Sequence, residues 1–204
     1  MAWLIAGGAL VLPAAAATYV GLVTGALPAD LGIGRRLRPL GLDAVEIAAP
    51  RELVFDVIAE PYLGQQTRAV AEKITILERG VDMVLAAHRT PVHGGRLTAT
   101  TIETVRFERP HAVHFRLVRG PVPHVAEKFA LIESDGVTRL TYDGQLGTDL
   151  WALGSRWGRV VAATWERKIA ASLAMIKAEA ERRHRASKAN VSVVTERWSR
   201  GGLA

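Results

Sequence analysis

Residues 148–185, TDLWALGSRWGRVVAATWERKIAASLAMIKAEAERRHR, form the longest periodic run in the chain and decide its architecture. Leu150, Leu153, Trp157, Val161, Trp165, Ile169, Leu173, Ile176 and Ala180 recur every three or four residues, the spacing that gathers side chains on one face of an α-helix. Thr148 or Asp149 is placed to cap its start. Arg182, Arg183 and Arg185 fall in its last turns, where the negative end of the helix dipole favours cations. Such a helix has one apolar face to bury, and the chain before it must supply the matching surface.

That preceding chain is strand-like. Residues 42–49 alternate, with Val45 and Ile47 on one side. Pro50 then opens a short helix whose stripe, Leu53, Val54, Val57 and Ile58, stops before Pro61. Six strand-like runs follow, at 68–77, 81–89, 97–108, 112–119, 125–133 and 137–146. They are separated by turn chemistry such as Gly80-Val81-Asp82, Arg109-Pro110 and Ser134-Asp135-Gly136. Gaps of hairpin length make neighbouring strands antiparallel, because parallel ones need crossovers of a dozen or more residues. The expected fold is α+β: a seven-stranded antiparallel sheet wrapped around one long carboxy-terminal helix. A sheet this wide does not close tightly on a helix, and the gap becomes an apolar cavity for a hydrophobic small molecule.

Several short patterns carry a resemblance. Val45-Glu46-Ile47-Ala48-Ala49-Pro50 leads into Val54-Phe55-Asp56-Val57-Ile58-Ala59. Gly120-Pro121 follows the fifth strand, Gly136-Val137-Thr138-Arg139-Leu140-Thr141-Tyr142 opens the seventh, and Ser172-Leu173 lies in the closing helix. In these features and in element order, residues 42–185 resemble the polyketide cyclase/dehydrase and lipid-transport family of the START-like (SRPBCC) superfamily, with its helix-grip fold. The resemblance implies a cavity for a lipid, quinone or polyketide-like ligand. It implies no particular reaction, since such members include carriers, aromatase/cyclases and coenzyme-Q-binding proteins.

Strand alternation nominates the polar residues facing that cavity. Glu103 shares a parity with Leu97, Ala99, Val105 and Phe107; Glu127 with Val125, Phe129 and Leu131; Tyr142 with Leu140 and Leu146; and Arg89 with Val81, Met83, Leu85 and Ala87. Arg89, Glu103, Phe115, Glu127, Phe129, Tyr142, Trp157 and Trp165 are the candidate cavity residues. A buried Glu of raised pKa could serve as acid or base on a polyketide carbonyl held by Tyr142. The alternative is a Glu–Arg pair that satisfies itself. No catalytic residue is assigned.

The 204-residue chain contains no cysteine, which excludes thiolate catalysis and cysteine zinc sites. Its six histidines lack metal-ligand spacing, so no metal and no cofactor is expected, and His88 and His93 are read as edge or loop residues. No Gly-x-Ser-x-Gly or phosphate-loop context is present. Gly154-x-x-x-Gly158 on the long helix is read as a packing feature.

The two ends point to a membrane. From Trp3 to Leu27 no residue is charged, long enough to span a bilayer. Arg35, Arg36 and Arg38 follow, which by the positive-inside rule leaves the domain facing the cytoplasm beneath a single-pass cell-membrane anchor. The alternatives are a secretory signal cleaved near Ala14–Ala17, leaving a secreted domain, and a buried or loosely attached hairpin suggested by Pro13 and the many Ala and Gly. The expected organisation is an anchor over 1–29, a basic linker over 30–41, the ligand-binding domain over 42–186 and a basic tail over 187–204. The formal charge of +6 is uneven: fifteen Lys/Arg face sixteen Asp/Glu up to Asp149, against eleven and four from Leu150 onward. Arg182, Arg183 and Arg185, with the linker arginines, are candidate contacts to anionic lipid. No recognised nucleic-acid motif is present, and nucleic acid is not an expected partner. The expected function is binding or transfer of a hydrophobic small molecule by a membrane-tethered domain, with a cyclase/aromatase-type enzyme as the alternative.

Overall fold

The computed structural model describes the backbone of residues 2–27, 30–64 and 66–201, and the side chains of 13–27, 30–41, 43–64 and 66–189. The elements run α1 (Ala2–Thr24), β1 (Arg36–Ile47), α2 (Arg51–Leu63), α3 (Arg68–Ala71), β2 (Ile74–Arg79), β3 (Met83–Val92), β4 (Leu97–Glu108), β5 (Ala112–Arg119), β6 (His124–Ser134), β7 (Val137–Thr148) and α4 (Trp151–Gly201). The strands form one antiparallel sheet in the order β1-β7-β6-β5-β4-β3-β2, so only the β1–β7 pairing is non-sequential. The sheet curls around α4, whose buried Val161, Ala162, Leu173 and Ala180 meet its inner face together with half-buried Trp157, Trp165, Ile169 and Ile176.

α2 packs against α4 and the inner ends of β5, β6 and β7 through buried Val54, Phe55, Ile58, Ala59 and Tyr62. Pro50 offers no side-chain cap at its start. Glu133 from β6 accepts the Arg51 N–H instead, at 2.8 Å, satisfying one of the unpaired amides of the first turn. Glu60 pairs with Arg183, tying α2 to α4.

The local reading errs in five places. Residues 68–77 are not one strand: Thr67 caps the single turn α3, and β2 begins at Ile74. α2 runs through Pro61 to Leu63, because a proline in the last turn costs little once Gly64 N–H closes on Glu60 O. The linker is half strand, since residues 36–39 pair with Gln145–Thr148 of β7, a long-range pairing that no local periodicity reveals. α4 begins at Trp151, after Leu150, and continues to Gly201 through the expected tail. Leu150 and Leu153 are exposed, so the buried stripe starts at Trp157.

Asp149 does not cap α4. Its carboxylate accepts the N–H groups of Leu31 and Gly32, each at 2.7 Å, and the Arg35 guanidinium at 2.7 and 3.2 Å. The Leu150 and Trp151 N–H groups bind Ile33 O and Gly34 O. The segment before β1 is thereby strapped across the start of α4. The hydrogen bonds from Arg35 hold the Asp149 carboxyl down at about 2, against the cost of burial. Arg38 pairs with Glu166. Arg182 and Arg183 pair with Glu179, and Arg185 lies 3.9 Å from Glu181. Of the expected lipid-facing arginines only Arg36 has no ion pair among the described residues.

Among the described residues no helix is long and apolar enough to cross a membrane. The expected anchor falls partly on residues 1–12, whose side chains lie outside the described residues. What is described of α1 leans on the domain. Val23 is buried, and Gly25, at φ +73°, comes so close to β4 that a Cβ there would lie 2.4 Å from Thr100 O.

The strap should matter for stability. Asp149→Ala is expected to destabilise the fold by about 2–3 kcal/mol, measured by chemical denaturation at pH 7, because it strips several backbone and guanidinium donors of a buried acceptor. Since the native carboxyl titrates below its ordinary range, the wild-type advantage should be complete above pH 4 and vanish as pH falls through 2.

Candidate functional site

The site lies on the concave face of the sheet, under α4, and is built around two buried carboxylates. Glu127 projects from β6 between Val125 and Phe129, and Glu103 from β4 between Thr101 and Val105. Their flanking residues are apolar or hydroxylic, so each is an acid set into a hydrophobic surface.

Glu127 Oε1 accepts two hydrogen bonds, from the Tyr142 hydroxyl and from the Trp165 indole Nε1, both at 2.7 Å. Three elements, β6, β7 and α4, thus converge on one oxygen. Local sequence permits it: Gly144 lies directly opposite Glu127 in the β6–β7 register, and Tyr142 lies two residues away on the same face. A Cβ at 144 would sit 2.2 Å from the Tyr142 hydroxyl, so only glycine leaves that phenol room. Glu127 Oε2 has no hydrogen-bond partner among the described residues. Burial, then the charge of Glu103, pushes the Glu127 carboxyl up to about 7, against the opposing pull of Tyr142 and Trp165. Burial and the facing Glu127 also push the Tyr142 phenol far up, so it stays a donor.

Glu103 is differently held. Thr101 Oγ1 donates to its Oε1 at 2.7 Å, and His88 Nδ1 lies 3.2 Å from its Oε2. Burial works to raise its pKa, but the His88 and Thr101 contacts outweigh burial and keep it below the ordinary carboxylate range. In turn Glu103 raises His88 although burial opposes the imidazolium. The two carboxyls therefore sit on opposite sides of their usual value, Glu103 as an anion and Glu127 able to hold its proton at neutral pH.

An aromatic ladder joins them. His88 meets Tyr62 at a tilt at 5.7 Å, Tyr62 meets Phe115 edge-on at 5.9 Å, Phe115 meets Phe129 edge-on at 5.5 Å, and Phe129 meets Tyr142 at a tilt at 5.3 Å. Of these, Tyr62, Phe129 and Tyr142 are buried. Phe115, Phe107, Trp157 and Trp165 pack against the core and stay half-buried. Two open hollows lie outside the grip, one of about 590 Å³ along β2 beside Gly64 and Ala71, the other of about 410 Å³ lined by Leu37, His114, Lys128 and Gln145.

α2 closes one end of the grip. The other end is bounded by the β3–β4 hairpin, the β5–β6 loop and the first turns of α4, and here α1 sits. Its Tyr19 hydroxyl lies 2.9 Å from His93 Nε2 and its ring meets Trp157 edge-on at 6.2 Å. Arg119 at the end of β5 donates to Gly25 O and Ala26 O. Trp157 Nε1 donates to Pro121 O at 2.7 Å, closing the β5–β6 loop on α4.

The structure thus brings Glu103, Phe115, Glu127, Phe129, Tyr142 and Trp165 onto one inner surface, with Trp157 at its rim. Arg89 is a correction: it is exposed and donates to Thr75 Oγ1 on the neighbouring strand. β3 begins at Met83, and its inward residues are Val84, Ala86 and His88, whereas Val81 is fully exposed. Counting from Val81 inverted the parity. That error hid His88, which the even-numbered apolar positions 84 and 86 pointed to. Gly154 and Gly158 do serve packing, admitting Asp149 O and Thr148 against α4.

No family model matches the sequence, and no curated protein matches it significantly. Solved structures do share its fold. The Zhui aromatase/cyclase from a Streptomyces species superposes with a TM-score of 0.61 at 22% identity over 72% of this chain and 96% of that one. Norcoclaurine synthase from Thalictrum flavum, solved with dopamine and hydroxybenzaldehyde, superposes with a TM-score of 0.56 at 11% identity, covering 74% of this chain and 90% of its own. The protein Ara h 8.0201 gives 0.50 at 12% identity, covering 71% and 98%. At these identities the likeness is one of fold: the chain shares the antiparallel sheet wrapped around a long carboxy-terminal helix with these proteins.

Glu127→Gln isolates the buried acid. A carboxyl whose folded pKa lies above its ordinary value stabilises the fold below pH 4.5 and loses that advantage as pH rises through 7. Measured by urea denaturation, the wild type should therefore lose up to about 3 kcal/mol relative to Glu127→Gln between pH 4.5 and 8.

Proposed function

We propose that this chain binds a hydrophobic small molecule bearing an oxygen function in the space between the sheet and α4. The observation that carries the reading is Glu127. A leucine there would serve folding better, because burying a carboxyl without full hydrogen bonding is costly. Instead three elements converge to hold one of its oxygens and leave the other without a protein partner. A group so fixed inside an apolar, aromatic-lined grip is what orients the hydroxyl or carbonyl of a greasy guest. The aromatase/cyclase and norcoclaurine synthase folds, the latter solved with two small aromatic molecules, support this reading by analogy.

A second reading rests on the same acid. A carboxyl titrating near 7 is suited to general acid–base work, Glu127 taking a proton through Oε2 from the carbon next to a carbonyl while Tyr142 and Trp165 hold Oε1. A cyclisation or dehydration of a polyketide-like chain is the reaction this arrangement fits. Binding is the primary proposal, and turnover is its extension.

Membrane tethering through the uncharged run from Trp3 to Leu27 belongs to the same reading, since it would keep the grip beside a reservoir of hydrophobic ligand. The full chain is then expected to stay with membranes through an alkaline carbonate wash. Release into the supernatant would remove the tether and leave the binding proposal standing.

The binding proposal is tested by titrating the full chain with 2-acetylnaphthalene while following tryptophan fluorescence. Saturable quenching at one site, abolished by Trp165→Phe with Trp157→Phe, is the expected result. Linear, unsaturable quenching would contradict it.

A further inference from the structure

The geometry points to His88 as a second ligand-contacting group within the grip, its Nε2 presented to a carbonyl or anionic oxygen of the guest, with Glu103 and Thr101 as the positioning residues that aim it. The inference rests on the binding reading above and extends it to the chemistry at the far end of the ligand.

The placement follows from register. On the inner face Ala86 lies opposite Glu103 and His88 opposite Thr101, so the imidazole and the carboxylate are diagonal neighbours on β3 and β4. Glu103 accepts at His88 Nδ1, and Thr101 holds the other carboxylate oxygen, which fixes both the ring plane and the proton on Nδ1. The ring also packs, tilted, against Tyr62 at 5.7 Å between centroids. Nε2, on the opposite edge of the imidazole, is buried and has no hydrogen-bond partner among the described residues. A histidine serving packing alone is normally satisfied at both nitrogens. This one is oriented at one nitrogen by a two-residue relay and left open at the other. Glu103 favours the imidazolium, and in that form Nε2 is a charge-assisted donor suited to a ketone, enolate or carboxylate oxygen.

The two polar stations are spaced for one molecule. His88 on β3 and Glu127 on β6 are separated by β4 and β5, roughly 14 Å across the sheet at ~4.8 Å per strand, and its concave curvature shortens that on the inner side. Between them lie Tyr62, Phe115 and Phe129. The ligand class is therefore an elongated, flat, apolar molecule with an oxygen at each end: an acceptor or anion at the His88 end, and a hydroxyl or carbonyl at the Glu127–Tyr142 end.

A matched pair of probes tests this on the full chain. 6-Acetyl-2-naphthol and 6-ethyl-2-naphthol both offer a hydroxyl to the Glu127–Tyr142 end and differ by one carbonyl oxygen at the other. Wild type should bind the ketone at least about tenfold more tightly, and the paired substitution His88→Leu, Glu103→Leu, which removes both members of the pair, should erase that preference while keeping affinity for the ethyl analogue. Should that variant not fold, ¹⁵N-imidazole NMR of the wild type decides: the His88 Nε2 signal should shift with the ketone and not with the ethyl analogue. A ketone preference that survives the double substitution, or an Nε2 signal indifferent to the ketone, overturns the assignment and leaves the grip as a binding site. Failure of both probes to bind overturns the binding reading itself, and this one with it.

Discussion

Glu127 is buried where water cannot solvate a charge, and the inner surface of the protein is arranged around that constraint. Its neighbours Tyr142 and Trp165 come from different elements and reach the same oxygen. Gly144 exists in a form that lets the phenol through. The second acid, Glu103, discourages a negative charge on Glu127, while its own charge is balanced by His88. One carboxyl is thereby held as an anion and the other near the point of protonation, the separation of roles that lets two like groups share one interior.

The rest of the fold keeps this interior in place. α2 closes one end and is tied to α4 by Glu60–Arg183. The other end carries the last turn of α1, which touches the β3–β4 hairpin, the β5–β6 loop and Trp157 on α4. Between α1 and β1 the chain is strapped to the start of α4 by Asp149 and Arg35. The apolar amino-terminal run is thus joined to the rim of the grip.

Much of this was legible in the residues. Alternation along β4, β6 and β7 placed Glu103, Glu127 and Tyr142 on the inner face because those strands are long and half-buried, and the register shift beside Glu103 in the β4–β5 pairing leaves the inner-face parity of β4 unchanged. The 3.6-residue stripe from Trp157 to Ala180 located α4, since a helix packed on one face must show that period. What was hidden depends on distant partners. The pairing of residues 36–39 with β7 and the recruitment of Asp149 away from its expected capping role are made by contacts more than a hundred residues apart. His88 was obscured by where β3 was taken to begin, and in a strand a one-residue error exchanges the two faces completely.

The central claim is that a poised acid faces a guest inside the grip. Its most direct test is a ¹³C-NMR titration of the Glu127 side-chain carboxyl from pH 4 to 9, with and without saturating 2-acetylnaphthalene. The account predicts a midpoint near 7 in the free protein and a clear displacement on binding. A midpoint in the ordinary carboxylate range, unmoved by the ketone, would contradict it.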